Sequence, residues 1–294
     1  MLIAVRRSSL DKAFDFFNNI FMIIVCFITV YPFLYLFNLS FGKADTLNIQ
    51  SLSLIPAKID FESYRKVFES QYIITGFLST IVRVSIGVPL SVAAMIFTAY
   101  PLSKRNFPHR SVWISLIVFT MFFSGGLIPS YLLIKNLNLM NSIWALVLPG
   151  LIPTYSMIIM RNFFSTIPGE LEESAKIDGA NDIFILIRII IPMSAPIIAT
   201  VTLWSMVSHW NAWFDCMIYI SDAKKQVLQL VLRRVIIEGT NQMMDLNTSL
   251  DNQVANPESI KAATIIVATV PIIMVYPFVQ KYFVKGVMVG SLKG

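Results

Sequence analysis

A chain of 294 residues that is 56% hydrophobic and only 14% charged holds more apolar side chains than soluble cores of that size absorb, which excludes an ordinary soluble globular protein. Its formal charge of +6 is scattered beside apolar runs and forms no single patch, which argues against nucleic acid as a partner. The two cysteines, Cys26 and Cys216, and the two histidines, His109 and His209, provide neither a disulfide framework nor metal-ligand spacing.

A helix needs about 20 consecutive apolar residues to cross a bilayer core. Six stretches qualify: 14–41, 73–102, 112–134, 143–160, 183–207 and 262–280. They predict an all-α membrane protein with one six-span domain over 14–285, a short segment at 1–13 before it and a tail at 286–294. Span one is too long for a signal-peptide core and no small-residue cleavage pattern follows it, so it is expected to be retained. Proline occurs within several spans (Pro32, Pro89, Pro192, Pro196 and Pro271), and neighbouring helices can satisfy the freed backbone groups, so kinks are expected there and not breaks.

Residues 42–72 read as an outer loop with an amphipathic patch at Phe61, Tyr64, Val67 and Phe68. Span two contains Arg83, a charge that must pair, snorkel or face a partner subunit. Lys104, Arg105 and Arg110 join spans two and three, and Ser124-Gly125-Gly126 predicts a bend or close packing near the outer end of span three. Arg161, at the inner end of span four, reads as an anchor on the positive side. The long outer loop 208–261 has Val227, Leu230, Val231 and Ile236 at helical spacing, which predicts a helix lying at the outer face. Its Asn-, Asp- and Ser-rich stretch 241–257 reads as a partner-contacting segment. Lys281, Lys285 and Lys293 follow span six. With Arg6, Arg7 and Lys12 ahead of span one, the basic short loops put both termini in the cytoplasm.

The segment between spans four and five differs from all other loops. Ser165, Thr166 and Pro168 offer helix-start chemistry, and Glu170, Glu172 and Glu173 fall in the first turns, where they complement the positive end of a helix. Gly179 permits a left-handed turn, and a second helix is expected to begin near Asn181-Asp182. The element 168–182 is thus a helix–turn–helix on the inner membrane surface. Leu171, Ala175 and Ile177 form its small apolar side, while Glu173 and Asp178 remain free for an external partner, since burying them in a lone membrane protein would be costly.

The run from Glu173 to Pro192 also follows a known spacing: Glu-Ala-Ala, three residues, Gly, nine residues, then Ile-x-Leu-Pro. Ser174 and Ile191 are mild departures. This pattern resembles the signature of permease subunits of bacterial binding-protein-dependent ABC importers. Asp178-Gly179-Ala180, the run from Ile167 to Leu171, Trp210-Asn211-Ala212-Trp213 and the ending around Lys285, Gly286 and Gly290 are similar to the carbohydrate branch, and most of all to maltose-type "G" permeases. The resemblance covers nearly the whole chain. It implies a type I importer permease fold in a bacterial cytoplasmic membrane, with Glu173, Ser174, Ala175, Asp178, Gly179 and Pro192 in a coupling element that docks on an ATPase. It further implies a heterodimer with a second permease, two ATPase subunits, an extracytoplasmic solute-binding protein and a carbohydrate substrate, expected to be an oligosaccharide. The tail from Gly286 is expected to reach the ATPase pair.

No Gly-x4-Gly-Lys-Ser/Thr phosphate loop occurs in the sequence, so this chain is not expected to hydrolyse ATP. It is read as non-catalytic, binding no cofactor of its own, with ATP and Mg on the partner ATPases. Sugars present apolar ring faces and many hydroxyls, so the candidate pathway residues are Tyr131, Tyr155, Asn162, Trp204, Trp210, Asn211 and Trp213; the bland alternative for each is the aromatic belt at the bilayer interface. His209 and Asp215 flank Trp210-Asn211-x-Trp213 and predict a polar-aromatic cluster at the outer mouth. For acidic oligosaccharides, Arg83, Lys135 and His209 are candidate aids. An ion-coupled secondary transporter is the rival reading, but it predicts paired carboxylates inside the spans, and every Asp and Glu here lies outside them or at their margins.

Overall fold

The computed structural model describes residues 9–42, 59–237 and 257–291, the last stretch for its backbone only at 276 and from 278 onward. The polar segment 241–256 and the final residues 292–294 lie outside the described residues, as do the side chains of Lys281 and Lys285. All regular structure among the described residues is helical.

Three of the expected spans are single long helices, α1 (Ser9–Ser40), α3 (Gln71–Ser103) and α14 (Pro257–Ser291), and the short α2 (Glu62–Glu69) lies between the first two in the chain. Pro32, Pro89, Pro101, Pro271 and Pro277 all sit inside these helices without ending them. The helices continue because a transmembrane segment has no water to take over backbone groups if its ladder were abandoned.

The other three expected spans are bent pairs. The third consists of α4 (Arg110–Phe122) and α5 (Leu127–Asn136), whose axes differ by 110°. Extended Phe123 and Gly126, whose φ is +86°, make the break that Ser124-Gly125-Gly126 foreshadowed. Two segments at that angle do not form one straight crossing, so the expected single span 112–134 is corrected. In the fourth, α6 (Trp144–Val147) with its tight final turn to Gly150 meets α7 (Thr154–Phe164) at 52°, with extended Pro153 at the joint.

The fifth departs most from a kink. Helix α8 (Glu170–Ile177) is followed by α9 (Asp182–Ile185), a wider π-helical turn at Leu186–Ile190, and α10 (Ile191–Met193). The stretch Asp182–Met193 then meets α11 (Ala195–Asn211) at 83°. The chain turns at Ser194, whose N–H donates to the carbonyls of Ile190 and Ile191 (2.9 and 3.1 Å) and whose carbonyl accepts from Ile198 (3.0 Å), so both backbone groups of Ser194 stay bonded at the corner. Pro192 and Pro196 flank it. The longer arm of this bent pair is α11, whose 17 residues rise about 25 Å. Residues 183–193, expected to be the inner part of the span, belong to the element before it.

Two further helices, α12 (Phe214–Tyr219) and α13 (Leu228–Ile237), complete the chain. Helix α13 is the one anticipated in the long loop: Val227, Leu230 and Val231 are buried, and Ile236 is exposed.

The chain divides into two compact units, residues 1–70 with 235–267, and residues 71–234 with 268–294. In the first, Phe41 packs against Phe37, Phe61 and Tyr64, and the Ser40 and Tyr64 hydroxyls share a 2.7 Å hydrogen bond. Helix α1 exposes large apolar side chains all round, as a helix does when its surroundings are lipid or other apolar helices. In the second unit α3 is the central post, packed against α7 and α11. Its C-terminal half joins a core of Met95, Ala99, Met157, Met160, Ile185, Ile190 and Val201. A second core, beside its N-terminal half, gathers Ile134, Leu146, Cys216, Tyr219, Val227 and Leu230.

Candidate functional site

Helix α8 begins with Glu170, Glu172 and Glu173 in its first turn, but no side chain caps it. Ser165 and Thr166, expected as N-caps, instead donate to the carbonyls of Arg161 and Phe163 (3.0 and 2.7 Å) and close the end of α7. The other end of α8 is tightly specified. Gly179 has φ +82°, its N–H donates to the Lys176 carbonyl (3.0 Å) and the Ala180 N–H donates to the Ala175 carbonyl (2.9 Å). This pair of bonds is a Schellman ending, which requires the left-handed conformation at Gly179. Nothing lies within 4 Å of where a Cβ on Gly179 would stand, so the requirement is conformational and not one of space. Asn181 then caps α9, accepting from the Phe184 N–H at 2.8 Å.

Two ion pairs hold the element. Lys176 pairs with Asp182 across the turn at 2.9 Å, and that hydrogen bond raises the pKa of the ammonium. Lys104, just beyond α3, pairs with Glu172 and stands 4.2 Å over the Tyr100 ring. Ala175 and Ala180 pack against the core around α3 and α7. The expected apolar side needs correcting: Ile177 is 86% exposed and Leu171 41%, and Ala175 alone of the three turns inward. Glu173 and exposed Ile177, four residues apart, share a face, with exposed Ser174 and Asp178 beside them. Pro192 is exposed, two residues before the corner at Ser194.

The proposed pathway residues separate. Tyr155 and Trp204 are brought together, both exposed and stacked with ring centres 6.2 Å apart. Trp210 is buried, its indole N–H donating to the Ala268 carbonyl at 3.2 Å and its ring edge-on to Phe77. Trp213 lies beneath the Arg233 guanidinium at 4.0 Å. Tyr131 packs against the second core, Asn162 accepts from Arg161 (2.8 Å), and Asn211 is exposed at the end of α11.

His209 and Asp215 do not gather with Trp213 in an outer polar-aromatic cluster; they turn inward to Arg83. The Arg83 guanidinium is bidentate on the Asp215 carboxylate, with one bond at 3.1 Å, and it donates to the Leu146 carbonyl (3.2 Å) and to His209 Nδ1 (3.3 Å). Arg83 is 3% exposed. It neither snorkels nor faces outward; it pairs. A cleft of about 610 Å³ lies next to this network, with Thr75, Ser79, Asn141, Ser142, Lys224 and Lys225 among its walls.

Residues 1–289 match the protein family described as "Binding-protein-dependent transport system inner membrane component". The chain belongs to that family. It is 38% identical over 284 residues to the "Polygalacturonan/rhamnogalacturonan transport system permease protein YtcP" of Bacillus subtilis (strain 168), covering 97% of this chain and 99% of that protein. To "Protein LplC" of the same organism it is 40% identical over 290 residues, covering 99% and 98%. Its structure is similar, at a TM-score of 0.89 and 32% identity, to a chain in the crystal structure of a bacterial ABC transporter involved in the import of the acidic polysaccharide alginate, covering 95% of this chain and all of that one.

This permease is therefore a membrane component of a transport system and not its ATPase. Reading the sequence missed three of its contacts. Lys104 was read only as loop charge. Arg110 and Arg161 both donate through Nε to the Leu102 carbonyl (2.9 and 3.0 Å), capping the negative end of α3. Gly87, one turn after Arg83, leaves room for His209: a Cβ there would stand 2.8 Å from the imidazole. A glycine four residues from a lone membrane arginine was the available sign of a close contact.

Proposed function

We propose that this permease forms half of the translocation pathway of an ATP-driven importer of oligosaccharides, taking its drive from a cytoplasmic ATPase through residues 170–182. The observation that carries the reading is the exposed face of α8, where Glu173, Ile177 and Asp178 stand clear of the protein's own core on an element fixed by a Schellman turn. An exposed isoleucine beside a carboxylate is a surface made for a partner with an apolar cleft and a cation. In this account both termini are cytoplasmic, a second permease completes the pathway, and a solute-binding protein delivers substrate on the other side, in keeping with the family's dependence on binding proteins. The substrate is an oligosaccharide bearing carboxylates. Support comes from the relatives named for polygalacturonan and rhamnogalacturonan and for alginate, and from a cleft whose mostly apolar wall carries hydroxyls and the ammonium groups of Lys224 and Lys225, the latter also bonded to the Asn141 carbonyl. The stacked Tyr155–Trp204 pair offers a face for sugar rings.

Docking is tested by cross-linking. With Glu173→Cys in a Cys26→Ala background of the assembled transporter, a short linker that is thiol-reactive at one end and photoreactive at the other should join this chain to an ATPase subunit, and the same linker on Lys135→Cys should not. Absence of any Glu173→Cys adduct with the ATPase would refute the docking assignment.

A further inference from the structure

Helix α3 is held at two distant points by ion pairs that the family assignment does not explain. Near its C-terminal end, Lys104 binds Glu172 of α8. In its N-terminal half, Arg83 binds Asp215, His209 and the Leu146 carbonyl. The 21 residues between Arg83 and Lys104 rise about 32 Å, close to the thickness of a bilayer core. Each end has a further tie. The carbonyl of Leu102 accepts from Arg110 and Arg161, and the Thr80 hydroxyl accepts from the Leu228 N–H at 2.9 Å.

We propose that α3 is the lever of this permease: Lys104–Glu172 locks the coupling element to its inner end, and the Arg83 network carries its movement to the end of α11, the start of α12 and α6. The inference rests on the reading that α8 meets an ATPase, and adds which part of the membrane domain takes up the motion. The route onward along the chain from α8 runs through α9, the π-helical turn and an 83° corner at Ser194, while the route back leads to α7, which Arg161 and Ser165 tie to the carbonyls of Leu102 and Ser103 at the same end of α3. A corner and a widened turn transmit a push poorly, whereas α3 is one unbroken helix with a charge-assisted bond at each grip. Lys104 and Arg83 are positioning residues, since neither needs to touch ATP or sugar.

The lever predicts that α8 and the inner end of α3 move as one body. The transporter is reconstituted with its second permease, ATPases and binding protein, and sugar uptake is measured per ATP hydrolysed. Lys104→Glu and Glu172→Lys should each lower that ratio by about tenfold, within the usual range of coupling between sites. The double variant Lys104→Glu/Glu172→Lys, which restores the pair with reversed sign, should recover most of it. In a Cys26→Ala background, Lys104→Cys/Glu172→Cys should show the same loss as either single reversal, and linking the two cysteines with a short bifunctional thiol reagent should raise the ratio again, because the link replaces the ion pair between parts that move together. If wild type is coupled, yet the single reversals keep the wild-type ratio, the double variant fails to recover or the link fails to raise the ratio, the lever is wrong. If wild-type uptake itself ignores ATP, it is the proposed function that fails.

Discussion

Arg83 and Asp215, 132 residues apart in the chain, form a bidentate ion pair that fastens α3 to the first turn of α12, with the arginine buried and the carboxylate only partly so. Removing one partner of such a pair leaves the other charge unmet, which costs ~3–5 kcal/mol when both are fully buried and about 2–3 kcal/mol where water reaches one of them. Arg83→Met should therefore lower the unfolding temperature of the detergent-purified protein. The double variant Arg83→Met/Asp215→Leu should be less impaired than the single one. Equal or greater loss in the double variant would show that the pair's charge is not what Arg83 contributes.

Gly87 gives an independent check on the same network. A methyl group at this position enters the space of the His209 ring, and overpacking of this kind costs about 1–3 kcal/mol. Gly87→Ala should destabilise the protein, and Gly87→Ala/His209→Ala should recover stability because the clash is gone. Unfolding temperatures of the two variants decide the matter.

At Gly179 the cost is conformational. Alanine meets no neighbour but must hold a positive φ, at about 1–2 kcal/mol. Asparagine adopts that conformation readily, while proline cannot and also lacks the N–H that binds the Lys176 carbonyl. Coupled uptake should fall in the order Gly, Asn, Ala, Pro, the last retaining none. A proline variant with full uptake would remove the Schellman turn from the mechanism.

The seven pathway candidates divide into exposed residues and residues packed within the protein. Tyr155→Ala and Trp204→Ala should raise the KM for sugar roughly two- to tenfold, the ~0.5–1.5 kcal/mol of an aromatic contact. Trp210→Phe should leave KM unchanged and lower stability, since its indole N–H serves the Ala268 carbonyl. Uptake kinetics beside thermal unfolding separate the two effects.

The sequence made the helical class, three of the long helices, α13 and the α8–Gly179–α9 element legible, because hydrophobic length and cap chemistry are local properties. Ser124-Gly125-Gly126 and the prolines at 192 and 196 marked where the chain bends, but the size of the bends, 110° and 83°, was hidden, since hydropathy measures how apolar a stretch is and not whether its axis is straight. Proline alone did not tell the two cases apart: Pro89 lies in an unbroken helix, as the expectation of no break has it, while the 83° turn at Ser194, between Pro192 and Pro196, is more than a kink. Partners were harder still. Asp215 looked like part of an outer aromatic cluster because it adjoins Trp213, and Lys104 looked like loop charge because its partner lies 68 residues away. Ion pairs across the fold leave no local pattern, though a charge inside an apolar span announces that one exists.

The central claim, that residues 170–182 harness this permease to ATP, is tested most directly by uptake into proteoliposomes. These would hold the complete transporter, with binding protein and an acidic oligosaccharide on one side and ATP on the other. Uptake should require ATP, ignore imposed proton or sodium gradients and disappear with Gly179→Pro. Uptake that proceeds without ATP along an ion gradient, or that survives Gly179→Pro undiminished, would contradict it.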